Sequence, residues 1–168
     1  EVKAPAVISQ LVELVTKEGK SPKTEFVGKS AKYILDKIGI TVGDDVKVIL
    51  MEAKEDHPFV QVELMMPILP LVRVPDVDQA IEMAVRVEHG NRHTAMMHSR
   101  NVEKLTKMAK LIQTTIFVKN GPSYAGIGVG GEGYTTFTIA GPTGEGLTSA
   151  KSFARRRRCV LVGGMDVR

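Results

Sequence analysis

Apolar residues recur at helical spacing over residues 4–17, where Val7, Leu11, Leu14 and Val15 share one face and Gly19 follows as a stop. The same period predicts a second helix over 28–38, with Ala31, Ile34, Leu35 and Ile38 inside and Gly39 at its end. Residues 21–24, with Pro22, read as a polar loop between them. The pattern then changes. Residues 46–51 form a strand entered by the Gly43-Asp44 turn, and residues 68–74 form a second, with Pro67 and Pro70 near its start. A helix opens at Pro75-Asp76 with Val77, Ala80, Ile81, Ala84, Val85 and Val87 inside, and Gly90 ends it. Residues 94–98 are the next strand. Ser99 is the expected N-cap of a helix over 102–112, and residues 115–118 form another strand. Three strands separated by two helices make consecutive βαβ units. The fold class is therefore α/β, a mostly parallel sheet flanked by helices. A short amphipathic segment over 149–156 and a last strand over 159–162 complete the pattern.

The pattern breaks in residues 114–146, which hold nine of the 16 glycines. Tyr124, Ile127, Val129, Tyr134, Phe137 and Ile139 punctuate this stretch, so it is not low-complexity. It reads as an ordered wall where the backbone comes close to something large. Within it, Gly126-Ile-Gly128-Val-Gly130-Gly131 satisfies the spacing of a dinucleotide fingerprint. That motif also requires a helix directly after the glycines, so that phosphate meets the helix N-terminus. Here the glycines run into β-branched and aromatic residues 134–139, so the better reading is a tightly packed glycine loop.

Composition changes the picture little. A chain of 168 residues suits one domain with a real core, and no apolar run approaches the length of a membrane span. The first residues resemble neither a signal nor a transit peptide, and they lack an initiator Met, which suggests a piece of something longer. One cysteine, Cys159, excludes an internal disulfide and suits the cytoplasm. The net charge of +4 is partly local, since residues 155–158 are all arginine. That run is short, has few aromatic neighbours and belongs to no nucleic-acid-binding motif, so a solvated or interface-facing helix end is the better reading.

Few residues stand out as chemistry. Glu63 lies in an otherwise apolar run, 59–71. A carboxylate there is solvated at a cleft, bound to ligand hydroxyls, or a structural partner of Arg73 or a backbone N–H. His93 lies at the N-terminal lip of a strand, either as a structural residue or as a proton carrier. His89, His93 and His98 lack zinc-site spacing. Cys159 follows four cations, which lower a thiol pKa, yet its apolar alternation favours a buried structural cysteine.

Glu63-Leu-Met-Met-Pro67 resembles the Glu-x-x-x-Pro segment that precedes a strand in the aldehyde dehydrogenase superfamily. Further resemblance follows in order. Residues 90–101 are similar to the His-Thr-Ala segment of the CoA-acylating branch, and residues 114–125, 130–136, 142–146 and 153–161 to the C-terminal part of propanal and acetaldehyde dehydrogenases. The likeness covers about residues 46–168. Those enzymes belong to propanediol and ethanolamine utilisation inside bacterial microcompartments. The resemblance implies oxidation of a short aliphatic aldehyde by NAD with CoA as co-substrate, through a cysteine thioester. It implies that Glu63 holds the nicotinamide ribose, that His93 assists acyl transfer to CoA, and that Gly121, Pro122, Gly128 and Gly131 line the acyl and CoA channel.

The same resemblance places the nucleophilic cysteine and the dinucleotide-binding half N-terminal to the matching region, and Cys159 at a C-terminal strand position. It implies that residues 1–148 are part of a catalytic domain, and that 149–168 are a tail and strand that joins a neighbouring subunit in a dimer or tetramer. This chain alone is then expected not to turn over aldehyde. The expected location is cytoplasmic, inside a microcompartment with its shell as a further partner, and no membrane or nucleic-acid partner is expected. The rival readings are a non-catalytic CoA- or nucleotide-binding module and a nucleic-acid binder using residues 155–158.

Overall fold

The computed structural model describes residues 1–131, 150–160 and 162–163. The chain divides into two compact units, Glu1–Val87 and Glu88–Arg168. The domain boundary expected at residue 148 lies outside the described residues.

In the first unit, α1 (Pro5–Val15) starts with proline at its N-terminus, where the missing N–H costs nothing, and buries Leu11 and Val15. Two short strands follow in place of the expected loop: β1 (Thr16–Lys17) pairs antiparallel with β2 (Ser21–Pro22). Helix α2 (Ala31–Asp36) is shorter than the pattern suggested. Ser30 caps it by accepting from the Tyr33 N–H, and Gly28 just before has a left-handed φ of 73° that a helix cannot contain. β3 (Ile49–Glu52) follows. A four-residue helix, α3 (Pro58–Gln61), then overlaps the start of the apolar run over 59–71. His57 Nδ1 caps α3 by accepting the Phe59 N–H at 3.1 Å. β4 (Ile68–Leu71) lies parallel to β3 with Ile49 opposite Ile68, and α4 (Val77–Val87) closes the unit. The proline inside β4 is tolerated because parallel strands point alternate N–H groups at a given neighbour. With the Ile49 N–H on Pro67 O and the Ala53 N–H on Leu71 O, the missing N–H of Pro70 faces away from β3. Leu11, Val15, Phe26, Ile34, Met51 and Phe59 are at the centre of the core.

In the second unit, β5 (Thr94–Met97) and β6 (Ile116–Lys119) pair in parallel, Thr94 opposite Ile116, with α5 (Val102–Ile112) as the crossover between them. Helix α5 buries Leu105, Met108 and Ile112. Its N-cap is Asn101, whose side chain accepts the Lys104 N–H at 3.0 Å. Ser99 sits two residues too early for that bond and instead accepts the Asn101 N–H.

The expectation of an α/β fold with parallel pairing holds. The described pairing is, however, two separate two-stranded parallel sheets and one short antiparallel pair. A short 3₁₀ turn at Ala150–Phe153 stands where the 149–156 segment was expected. The last strand is not found among the described residues. Residues 155–160 have no regular structure and no strand pairs with them, and residue 161 lies outside the description. For the same reason Cys159 is exposed rather than buried, since nothing described covers it.

Candidate functional site

Glu63 is held by the segment around it. The α3 cap at Val62 is extended, Leu64 turns inward and is 6% exposed, and Glu63 is left facing solvent. Met65 then takes a left-handed φ of 54°, an uncommon backbone for a bulky residue, and its carbonyl accepts the Gly28 N–H at 3.1 Å. The Met66 carbonyl accepts the Ile68 N–H, and Pro67 O accepts from Ile49. The segment is thus tied to the α2 entry on one side and to β3 on the other.

Arg73, the structural partner considered for Glu63, is engaged elsewhere. Its Nε and Nη2 both donate to Glu52 Oε1, at 2.9 and 2.5 Å. The Arg73 guanidinium beside Glu52 holds that carboxyl below its usual range. Among the described residues, no hydrogen bond or ion pair engages Glu63. Beside Met65 and Met66 opens a groove of about 650 Å³, whose wall includes Gly28, Lys29, Lys32 and Asp44. Lys32 pairs with Asp44 at 3.0 Å, which raises the lysine pKa through that hydrogen bond. The Lys29 ammonium lies 5.5 Å from the centre of the Tyr33 ring. The groove therefore joins an apolar methionine wall to one that carries Lys29, Lys32 and Asp44, and Glu63, two residues before Met65, does not line it.

His57 is different. Burial pushes its imidazole pKa down, against a smaller upward pull from Asp56. Its neutral Nδ1 is the acceptor that α3 needs, so His57 is a structural cap.

In the second unit His93 is exposed, at the N-terminal end of β5. Its Nδ1 is 2.8 Å from Thr94 Oγ1, and its carbonyl accepts the Ile116 N–H. Arg92 before it has a left-handed φ of 54°, and its N–H is taken by the Glu88 carboxylate. His89 and His98 are exposed, just beyond α4 and β5 respectively.

The glycine loop leaves β6 at Lys119. Gly121 packs near Val118 and Ala125, and Pro122 leads into a 3₁₀ turn, Ser123–Gly126. A Cβ at Gly126 would overlap the side chain of Ile116, and one at Gly131 would come within 2.8 Å of Ala125 O. The loop therefore folds back along β6, from Val118 towards Ile116, whose strand neighbour is Thr94. This return brings the loop towards the His93 end of the strand pair. Gly128 and Gly131 are exposed. The described residues end at Gly131, the last glycine of the fingerprint spacing, so the expectation for residues 134–139 lies outside them.

The pattern of apolar residues did not reveal Asn120. With φ of 57°, it follows β6, and its Oδ1 accepts the Ser99 N–H at 2.7 Å while its Nδ2 donates to Ser99 O at 2.9 Å. The Asn120-Gly121 dipeptide after a strand is a turn signal, but its partner 21 residues away is not readable from it.

The sequence model of the aldehyde dehydrogenase family matches residues 46–144. The chain is 51% identical to the propanal dehydrogenase (CoA-propanoylating) of Salmonella typhimurium, over 98% of this chain and 36% of that protein. Among solved structures it is similar to the propionaldehyde dehydrogenase of Rhodopseudomonas palustris with bound CoA and an acylated cysteine. There the TM-score is 0.88 at 71% identity, over 95% of this chain and 36% of that one. It also resembles a propionaldehyde dehydrogenase of the Clostridium phytofermentans fucose utilisation bacterial microcompartment, with TM-score 0.85 and 47% identity over 99% of this chain and 38% of that one. The chain thus spans little more than a third of these proteins. With the match covering most of β3 through the glycine loop, the chain belongs to the aldehyde dehydrogenase family.

Proposed function

We propose that the whole protein is an NAD-dependent CoA-acylating aldehyde dehydrogenase that converts propanal or acetaldehyde to the acyl-CoA through a cysteine thioester. The observation that supports this reading best is the Glu63 carboxylate, left without a described partner because Arg73 pairs with Glu52. A carboxylate accepts several O–H hydrogen bonds, which suits the vicinal hydroxyls of a ribose. A groove of about 650 Å³ opens beside Met65 and Met66, further along the same segment, and is large enough for part of a nucleotide. When bound, NAD accepts the hydride that leaves the aldehyde carbon. Glu63 holds and orients the ribose.

His93 serves the second half of the reaction. In the tautomer whose Nδ1–H donates to Thr94 Oγ1, its Nε2 is free to accept the proton of an incoming thiol. Gly121, Pro122, Gly128 and Gly131 line the channel for the acyl group and CoA, where the three glycines leave room for the thioester. Cys159 is not the nucleophile. The nucleophilic cysteine belongs to the part of the protein before residue 1. The tail over 149–168 joins a second subunit in a dimer or tetramer, and the protein works in the cytoplasm within a microcompartment.

The test is NADH and acyl-CoA formation by the whole protein with propanal, CoA and NAD⁺. Glu63→Gln is expected to raise the KM for NAD⁺ about tenfold, the size of a lost charge-assisted hydrogen bond. His93→Ala is expected to slow transfer to CoA by about a hundredfold, the low end of general base catalysis. An unaltered NAD⁺ dependence removes the ribose assignment, and an unaltered single-turnover transfer removes the role of His93. CoA binding without turnover points instead to a binding module.

A further inference from the structure

The glycine loop leaves the strand pair at Asn120, whose side chain ties the start of the loop to the backbone of Ser99. Asn120 ends β6 and begins the loop. Its own N–H donates to Met97 O at 3.0 Å, which extends the parallel ladder one residue past Lys119. Its side chain then closes on the backbone of Ser99 with the pair of bonds at 2.7 and 2.9 Å. Ser99 in turn accepts the N–H of Asn101, the cap of α5. One amide thus locks the exit of β5, the exit of β6 and the entry of α5. The left-handed φ of 57° turns the chain at this point, so that the loop doubles back over Val118 and Ile116. Asparagine is one of the few residues with a side chain that adopts this backbone readily.

We infer that Asn120 is a positioning residue that holds the 121–131 loop over the His93 end of the strand pair, and that acyl transfer to CoA depends on it while aldehyde oxidation does not. The inference rests on the proposed reading of the loop and His93. In the step concerned, the CoA sulfur forms a bond to the acyl carbon and the bond from that carbon to the enzyme cysteine breaks. The thiol proton passes to His93 and from it to the departing cysteine sulfur. Only this step needs the thiol, His93 and the loop together. Hydride transfer precedes it and does not use them.

The experiment uses the whole enzyme and the variant Asn120→Gly, which keeps the left-handed backbone and deletes both side-chain bonds. Two solvent-exposed hydrogen bonds set the expected size, about a fivefold loss in kcat/KM for CoA. The single-turnover burst of NADH from propanal without CoA is expected to stay within about twofold. Asn120→Asp keeps the acceptor for the Ser99 N–H but sets a carboxylate oxygen against Ser99 O, so it is expected to lose at least as much in the CoA step, and it carries the test if the glycine variant does not fold. Ser99→Ala keeps the backbone groups that Asn120 holds and is expected to leave the CoA step unchanged. An equal loss in the burst and in the CoA step means a merely structural residue and overturns the inference, as does a CoA step that neither substitution alters. If the unsubstituted enzyme makes no acyl-CoA at all, the proposed activity fails with it; normal acyl-CoA formation with an unaffected Asn120→Gly overturns this inference alone.

Discussion

Gly126→Ala puts one methyl group where the side chain of Ile116 already lies. The backbone at Gly126 is not in the left-handed region, so alanine suits its φ. On that count alone, alanine stabilises by about 0.4–1 kcal/mol, because it narrows the unfolded ensemble. Overpacking costs about 1–3 kcal/mol. The second effect wins, because Ile116 is 6% exposed, sits in a paired strand and cannot swing away, and the net loss is roughly 0.5–2 kcal/mol. Ile116→Ala alone opens a cavity at about 2–5 kcal/mol. In the double variant the new methyl group enters the space the isoleucine vacates, so the losses are less than additive, by about 1 kcal/mol. Urea denaturation of the four proteins, with m compared to exclude a changed unfolded state, measures this cycle. Gly130→Ala is the control. It has open space around it but a φ of +73°, so it loses about 1 kcal/mol through the backbone and shows no coupling to Ile116. A Gly126→Ala protein as stable as the parent, or additive losses in the cycle, would refute the packing of the loop on β6.

Replacing Asn101 by Ala removes the cap of α5 and is expected to cost about 1 kcal/mol in urea midpoint stability, whereas Ser99→Ala costs less because its hydroxyl supports the cap only indirectly. His57 makes stability depend on pH. Its folded pKa lies below the unfolded value, so the unfolded chain takes up the proton first. The stability it contributes is complete above the ordinary histidine value of about 6.5 and declines as pH falls from there towards the folded pKa. His57→Asn keeps an acceptor for the Phe59 N–H, and a urea midpoint that tracks pH in this range as steeply as the parent's would reject His57 as the source.

Three helices, α1, α4 and α5, were legible because each runs three turns with its apolar residues on one face. The short elements were not. Helix α3 hides in an apolar run because its signals, Pro58 at the first position and a histidine cap, are those of a turn as well. Helix α2 loses its first turn to Gly28, whose conformation is coupled to Met65, a residue 37 positions away in sequence and 3.1 Å distant at the backbone. The candidate site was proposed from residue types alone, Glu63 and His93, because a carboxylate in an apolar run and a histidine at a strand lip are local signals. Its support was not legible. Whether Arg73 pairs with Glu63 or Glu52 is decided by the β3 and β4 register, and the hold of Asn120 on Ser99 is decided by that of β5 and β6.

The register also bears on how the polypeptide acquires its structure as it is synthesised. Ile49 meets Ile68, and Thr94 meets Ile116, so each parallel pair closes a chain segment of only about twenty residues. Neither pair waits for a strand from the other unit. The Glu1–Val87 unit can therefore close its β3 and β4 ladder and bury Met51 while the Glu88–Arg168 unit is still in the ribosome, since domains generally form in order of emergence. Among the described residues, neither parallel pair depends on slow pairing between strands distant in sequence, the stage at which aggregation competes with folding.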